Sequence, residues 1–219
     1  MSIYVPVKDS MIQLLSVPRL ATYKTACNGD MKAALELYRW NLDTSMAFFE
    51  SIHYFEVALR NVIDPALQKA ALDGSRSWFD DAPQVPRPAN SPLTSKSQGK
   101  IKQAKNRILG AGHTESHGHI VAELELGFWW TLLSDEYNRS LWQPTLQNVF
   151  PLARRERLHS AIDRIRVLRN RIAHHEPLIH HNLVDDYNRL LKTASYIEPH
   201  LPWWIDSTSR LPMCLSRKP

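Results

Sequence analysis

Glycine is scarce in this chain, with seven residues in 219, and apolar residues seldom alternate with polar ones. Both features argue against the turns and two-residue period of a sheet protein. Cysteine is scarcer still. Cys27 and Cys214 stand near opposite ends without metal-ligand or redox spacing, so neither a disulfide framework nor a zinc module is expected. No run of about 18 apolar residues exists to span a bilayer. The opening Met1-Ser2-Ile3-Tyr4-Val5-Pro6 has neither a basic nor an apolar leader region, so the expectation is a cytoplasmic chain with no membrane partner. There is no internal repeat and no glycine-rich phosphate loop. Histidines cluster at His174-His175 with His180-His181, and at His113, His117 and His119. Neither group follows a familiar zinc spacing, so no metal or other cofactor is expected.

Positive charge is what the chain does have, and it is unevenly placed. Overall net charge is +5, which alone favours polyanionic partners only weakly. Between Arg154 and Arg171, however, seven arginines face only Glu156 and Asp163, and from Arg87 to Arg107 six basic residues occur with no acid. The plain alternative is a pair of solvated helix faces. Arginine dominance in the first segment points instead to phosphate, because a guanidinium pairs with phosphate oxygens through two directed bonds.

The apolar spacing is helical throughout, so the expected fold class is all-α. A short helix follows Ser16 and Pro18 and stops at Asn28-Gly29; Asp30 then caps a long helix from Met31 to about Ala70, with Pro65 kinking or dividing it. Its expected buried stripe is Leu35, Tyr38, Leu42, Met46, Phe49, Ile52, Phe55, Leu59 and Ile63. Four prolines between Asp80 and Pro92 mark a surface connection. Further helices are expected over Thr94 to Leu109, Ile120 to Leu133, Asn138 to Val149, Leu152 to Ala173 and Asn182 to about Tyr196. Of these, Leu152 to Ala173 buries Leu158, Ile162, Ile165, Leu168 and Ile172. The tryptophans and Phe48, Phe49 and Phe128 fall at helical spacing and read as core. One domain over 1–200 with an irregular tail over 201–219 accounts for the length.

The informative stretch is Leu168-Arg169-Asn170-Arg171-Ile172-Ala173-His174-His175-Glu176-Pro177. Arg169-Asn170 followed by His174 resembles the Arg-polar-x-x-x-His signature of HEPN ribonucleases, and Arg-Asn-x-x-Ala-His-His is similar to the abortive-infection (Abi-like) branch of that superfamily. Leu37-Tyr38-x-Trp40-Asn41, Glu56-Val57-Ala58-Leu59-Arg60-Asn61 and Gly127-Phe128-Trp129 resemble further pieces of it, in the same order. The resemblance implies a HEPN-like helical bundle with extra N-terminal helices, usually dimeric. It also implies an RNA substrate, and a role in antiphage defence or a toxin system with an RNA or protein antitoxin. Arg169, Asn170 and His174 would be catalytic, and His175, Arg171, Arg166, Glu56 and Arg60 would support the site or bind RNA.

The same residues can be read without the resemblance. Asn170 and His174, four apart, share a helix face, so the amide can orient the imidazole. Arg169 and His174 are five apart, about 140° around a regular helix, so one straight helix cannot aim both at one atom. Either the helix deforms near Ala173 or two chains converge as a homodimer. Cleaving RNA through its own 2′-hydroxyl needs a base, an acid and positive charge on the phosphorane, which two histidines and two arginines would supply. The competing reading makes His174 and His175 ordinary helix C-caps, and Glu56 with Arg60 a helical ion pair. On that reading the chain is a catalytically silent RNA-binding or protein-interaction module.

Overall fold

A computed structural model describes residues 5–70, 77–79 and 93–219. Among the described residues every regular element is helical, as expected. The elements are α1 (Val5–Leu15), α2 (Val17–Ala26), α3 (Met31–Ala70), α4 (Ser95–Gly110), α5 (His117–Glu123) and α6 (Leu126–Thr131). A 3-10 turn (Asp135–Tyr137) and a π-helix (Asn138–Leu146) follow, then α7 (Gln147–Val149), α8 (Arg155–Ala173), α9 (Leu183–Ala194), α10 (Leu201–Thr208) and α11 (Leu211–Ser216). The proline-rich connection from Asp80 to Pro92, with Arg87, lies outside the described residues. None of the described helices is long and apolar enough to cross a membrane.

The spine is α3, unbroken for 40 residues even at Pro65. Asp30 starts it by accepting the N–H groups of Lys32 and Ala33 at 2.8 and 3.2 Å, as an N-cap should. Ser16 does not cap α2 with its side chain and instead sits at φ 70°, while Pro18 occupies the first turn. In the first half of α3 the buried stripe differs from the expected one. Asn41, Thr44, Ser45, Ala47, Phe48 and Ser51 face inward, whereas Leu42, Met46 and Phe49 are 46%, 40% and 41% exposed. Small inward residues let neighbouring helices approach closely there, and α2, α10 and α11 all pack on α3. Beyond Ile52 the expected stripe of Phe55, Leu59 and Ile63 is buried.

The tail is not irregular. It contains α10 (Leu201–Thr208) and α11 (Leu211–Ser216), which dock on α3. The Trp40 indole N–H donates to the Cys214 carbonyl at 2.7 Å, Arg210 pairs with Glu50 at 2.8 Å, and the Lys218 ammonium donates to the Ile179 carbonyl at 3.0 Å. Trp203 and Trp204 nevertheless stay outside the core, 69% and 49% exposed.

The helix expected over Ile120 to Leu133 is also two helices, α5 and α6, separated at Leu124-Glu125. No proline or glycine breaks it. The cause lies on α3: Glu56 Oε1 accepts the Leu126 N–H at 2.7 Å, and an Arg60 guanidinium N–H donates to the Ala122 carbonyl at 3.4 Å. An acid thus meets the N–H end of α6 and a cation the carbonyl end of α5, where helices expose unpaired backbone groups. Glu56→Ala should lower stability by about 1–3 kcal/mol, because it leaves a part-buried N–H without an acceptor. Glu56→Gln, which keeps an acceptor oxygen, should recover most of the loss in urea unfolding. Equal midpoints for the wild type and Glu56→Ala would contradict this role.

Candidate active site

Helix α8 buries Leu158, Ile162, Ile165, Leu168 and Ile172, as its spacing requires, so its remaining faces carry the polar motif. The helix stays regular to its end: the His174 N–H still reaches the Asn170 carbonyl at 2.9 Å. The chain then reverses. The His175 N–H donates to the Ile172 carbonyl at 3.0 Å and the Glu176 N–H to the Arg171 carbonyl at 2.9 Å. This 5→2 and 6→1 pair is a Schellman turn, with His175 at φ 57° in the position that usually takes glycine. A left-handed non-glycine residue costs about 1–2 kcal/mol, so the turn has to be held from outside.

It is held on several sides. Arg19 of α2 donates to the His175 carbonyl at 3.1 Å. Asn41 of α3, only 6% exposed, accepts the buried Leu178 N–H at 2.7 Å. Arg171 pairs with Glu176 at 3.3 Å and lies 3.2 Å from His181 Nε2. With its backbone fastened, the turn displays His174 and His175 as exposed side chains, and neither imidazole makes a hydrogen bond among the described residues.

Arg169 has no ionic partner among the described residues. Its guanidinium lies 6.0 Å from the ring centre of half-exposed Phe49, and its buried Nε has no acceptor. Asn170 is half-buried, and among the described residues no hydrogen bond joins its amide to His174. The expected amide–imidazole pair is therefore not made within the chain. Because α8 is undeformed at Ala173, Arg169 and His174 also keep their separation of about 140°. A single straight helix with that angle does not aim both at one atom.

The supporting candidates divide. Arg166 is fixed by Asp163 at 2.7 Å, stacks 4.4 Å over Trp130 and runs its stem past Gly127. Glu56 and Arg60 hold the α5–α6 junction as described above, in place of the helical ion pair their spacing suggested. The His113–His119 stretch is occupied structurally. His117 bonds Asp64 at 2.9 Å and Ser77 at 2.9 Å, His119 Nδ1 lies 3.0 Å from the Thr114 carbonyl, and the described residues hold no group fit to bind a metal ion. Arg19 and His159 went unnoticed in the sequence. No local signal marks Arg19, whose partner is 156 positions away.

His159 stacks on Trp130, with ring centres 4.6 Å apart, and its Nε2 is buried without a partner among the described residues. Burial pushes its imidazole below the ordinary histidine range, with Arg155 and Arg166 adding to the shift and Asp163 opposing it. No protein-family model matches the chain, and neither a curated protein nor a solved structure does.

Two expectations follow from the geometry. His175→Gly should raise stability by about 0.5–1 kcal/mol, since glycine enters the left-handed region without the Cβ clash. A lower Tm for this variant would mean that the imidazole is itself a structural contact. For His159, the unfolded state takes up a proton more readily than the folded one, so stability is retained above the ordinary histidine range of about 6.5 and declines as pH falls through it. His159→Phe should flatten that decline in unfolding midpoints measured across the range. An unchanged pH profile would assign the decline to other groups.

Proposed function

We propose that this protein is a metal-independent endoribonuclease that acts as a homodimer, with Arg169, Asn170 and His174 in a cleft shared by two copies. The observation that carries this reading is the end of α8. Its backbone is tied down by Arg19 and Asn41, while among the described residues Arg169 forms no ion pair and the His174 and His175 imidazoles make no hydrogen bond. A mere helix cap would spend its imidazole on the helix's own carbonyls. The motif's resemblance to Abi-like HEPN proteins supplies the reaction class and the biological setting, antiphage defence or a toxin system with an RNA or protein antitoxin.

In this reaction one His174 takes the proton of the RNA 2′-hydroxyl as its oxygen attacks the adjacent phosphorus. The bond to the 5′-oxygen breaks, and the second copy's histidine gives that oxygen a proton. The products are a 2′,3′-cyclic phosphate and a 5′-hydroxyl. Arg169 places directed donors on the phosphorane, where negative charge accumulates in the transition state. Asn170, one turn before His174, orients the imidazole or the phosphate once the cleft is assembled. Two copies also answer the angular problem, since Arg169 of one can face His174 of the other. Phe49, Met46 and Leu42 give α3 an exposed apolar strip beside Arg169 that suits a second copy.

Purified protein should cleave RNA in EDTA and leave cyclic phosphate ends, whereas retention of RNA without cleavage would identify a silent binding module. His174→Ala should lower the rate by about 10²- to 10⁴-fold, the usual share of a positioned acid or base, with an unchanged unfolding midpoint. His175→Ala should lose less. Mixing inactive His174→Ala with inactive Arg169→Ala chains should restore part of the activity if the cleft is shared. Full activity from a stable monomer would defeat that arrangement.

A further inference from the structure

The two basic segments of the sequence end up on adjoining elements. Helix α4 packs on α6, and α6 packs on α8, so α6 joins the described part of the first segment, on α4, to the second, on α8. Within α4 the cations divide by position. Toward its C-terminus, Lys105 pairs with Glu115 at 3.7 Å and Arg107 with Glu123. Toward its N-terminus, Lys96 and Lys100 form no ion pair among the described residues. They are one turn apart on the same face.

Lys100 is half-buried, and its ammonium is pushed below the usual lysine range by burial and by Lys96 and Arg166, with Glu125 opposing. Lys100 is therefore near enough to Lys96 and Arg166 to feel their charge, with Glu125 opposing, and Asp163 pairs with Arg166. This end of α4 is also fixed: the Tyr137 hydroxyl accepts the Thr94 N–H at 3.1 Å and donates to Ser97 Oγ at 2.6 Å. Arg166 is fixed by Trp130, over which it lies at 4.4 Å, and by Asp163 at 2.7 Å. The assembly is a set of cations carried on rigid supports.

We propose that Lys96, Lys100 and Arg166 form a phosphate seat that holds the RNA strand beside the scissile position and touches none of the reacting atoms. This rests on the RNA-cleaving reading and names where that substrate runs: from Arg169 along α8 to Arg166, one turn or about 4.5 Å away, and across α6 to α4. Like charges gathered from separate elements repel one another in the free protein, and bound phosphates offset that repulsion. Recognition at the seat is through the backbone, so it is indifferent to base identity.

The test measures binding of a 2′-O-methyl oligoribonucleotide, which cannot be cleaved, at several salt concentrations. The Lys96→Gln/Lys100→Gln protein should bind more weakly. Its log–log salt slope should be shallower by about 1.4, near 0.7 for each phosphate of a single strand that a lysine no longer neutralises. With cleavable RNA, KM should rise while kcat at saturation stays at the wild-type value. Lys102→Gln, exposed on another face of α4, should leave the slope unchanged. A double variant with wild-type affinity and slope overturns the seat, while cleavage by the wild type keeps the enzymatic reading. If the wild type neither binds the oligonucleotide nor cleaves RNA, that reading fails and the seat fails with it.

Discussion

A backbone group buried at a helix end without a partner costs about 1–3 kcal/mol, and in this chain one helix supplies many of the missing partners. Along α3, Asn41 accepts from Leu178, Glu56 from Leu126, and Arg60 donates to Ala122. Trp40 closes the last helix through Cys214, and Asp64 accepts from the Trp78 indole at 2.7 Å. Helices that make their own bonds in the middle are thus positioned by their ends. Removing a polar residue from α3 releases a distant helix end, as well as a contact on α3 itself.

This constraint gives the α8 terminus its character. A strained His175 would ordinarily be a poor way to end a helix, yet Arg19 and Asn41 fasten the carbonyl at His175 and the N–H at Leu178. Strain stored in a turn that its surroundings over-determine is often found where side chains are displayed for work. Here the displayed groups are imidazoles on a backbone that its surroundings hold in place.

Charge count alone overstates how much of α8 is open to an anion. Arg155 is 7% exposed, bonded to the Leu133 carbonyl and shared between Asp135 and Glu156. Arg171 is held by Glu176 and His181. Arg169 forms no ion pair among the described residues and lies over the Phe49 ring at 6.0 Å. The chain therefore uses Arg155 and Arg171 to build the scaffold.

What the sequence determined by itself are the features whose cause is local. The stripe of α8, the cap at Asp30 and the break at Asn28-Gly29 all depend on residues within a turn or two, and all are found. The motif from Arg169 to His174 was legible for the same reason. Tertiary structure alone decided the split at Leu124-Glu125, the helical form of residues 201–219 and the outward turn of Leu42, Met46 and Phe49. It also decided the meeting of α4 with α8 across α6. Each of these depends on a partner tens of residues away, such as Glu56 for Leu126 or Trp40 for Cys214. A periodic pattern records which residues are apolar, but it does not record which distant side chain will meet an unpaired helix end.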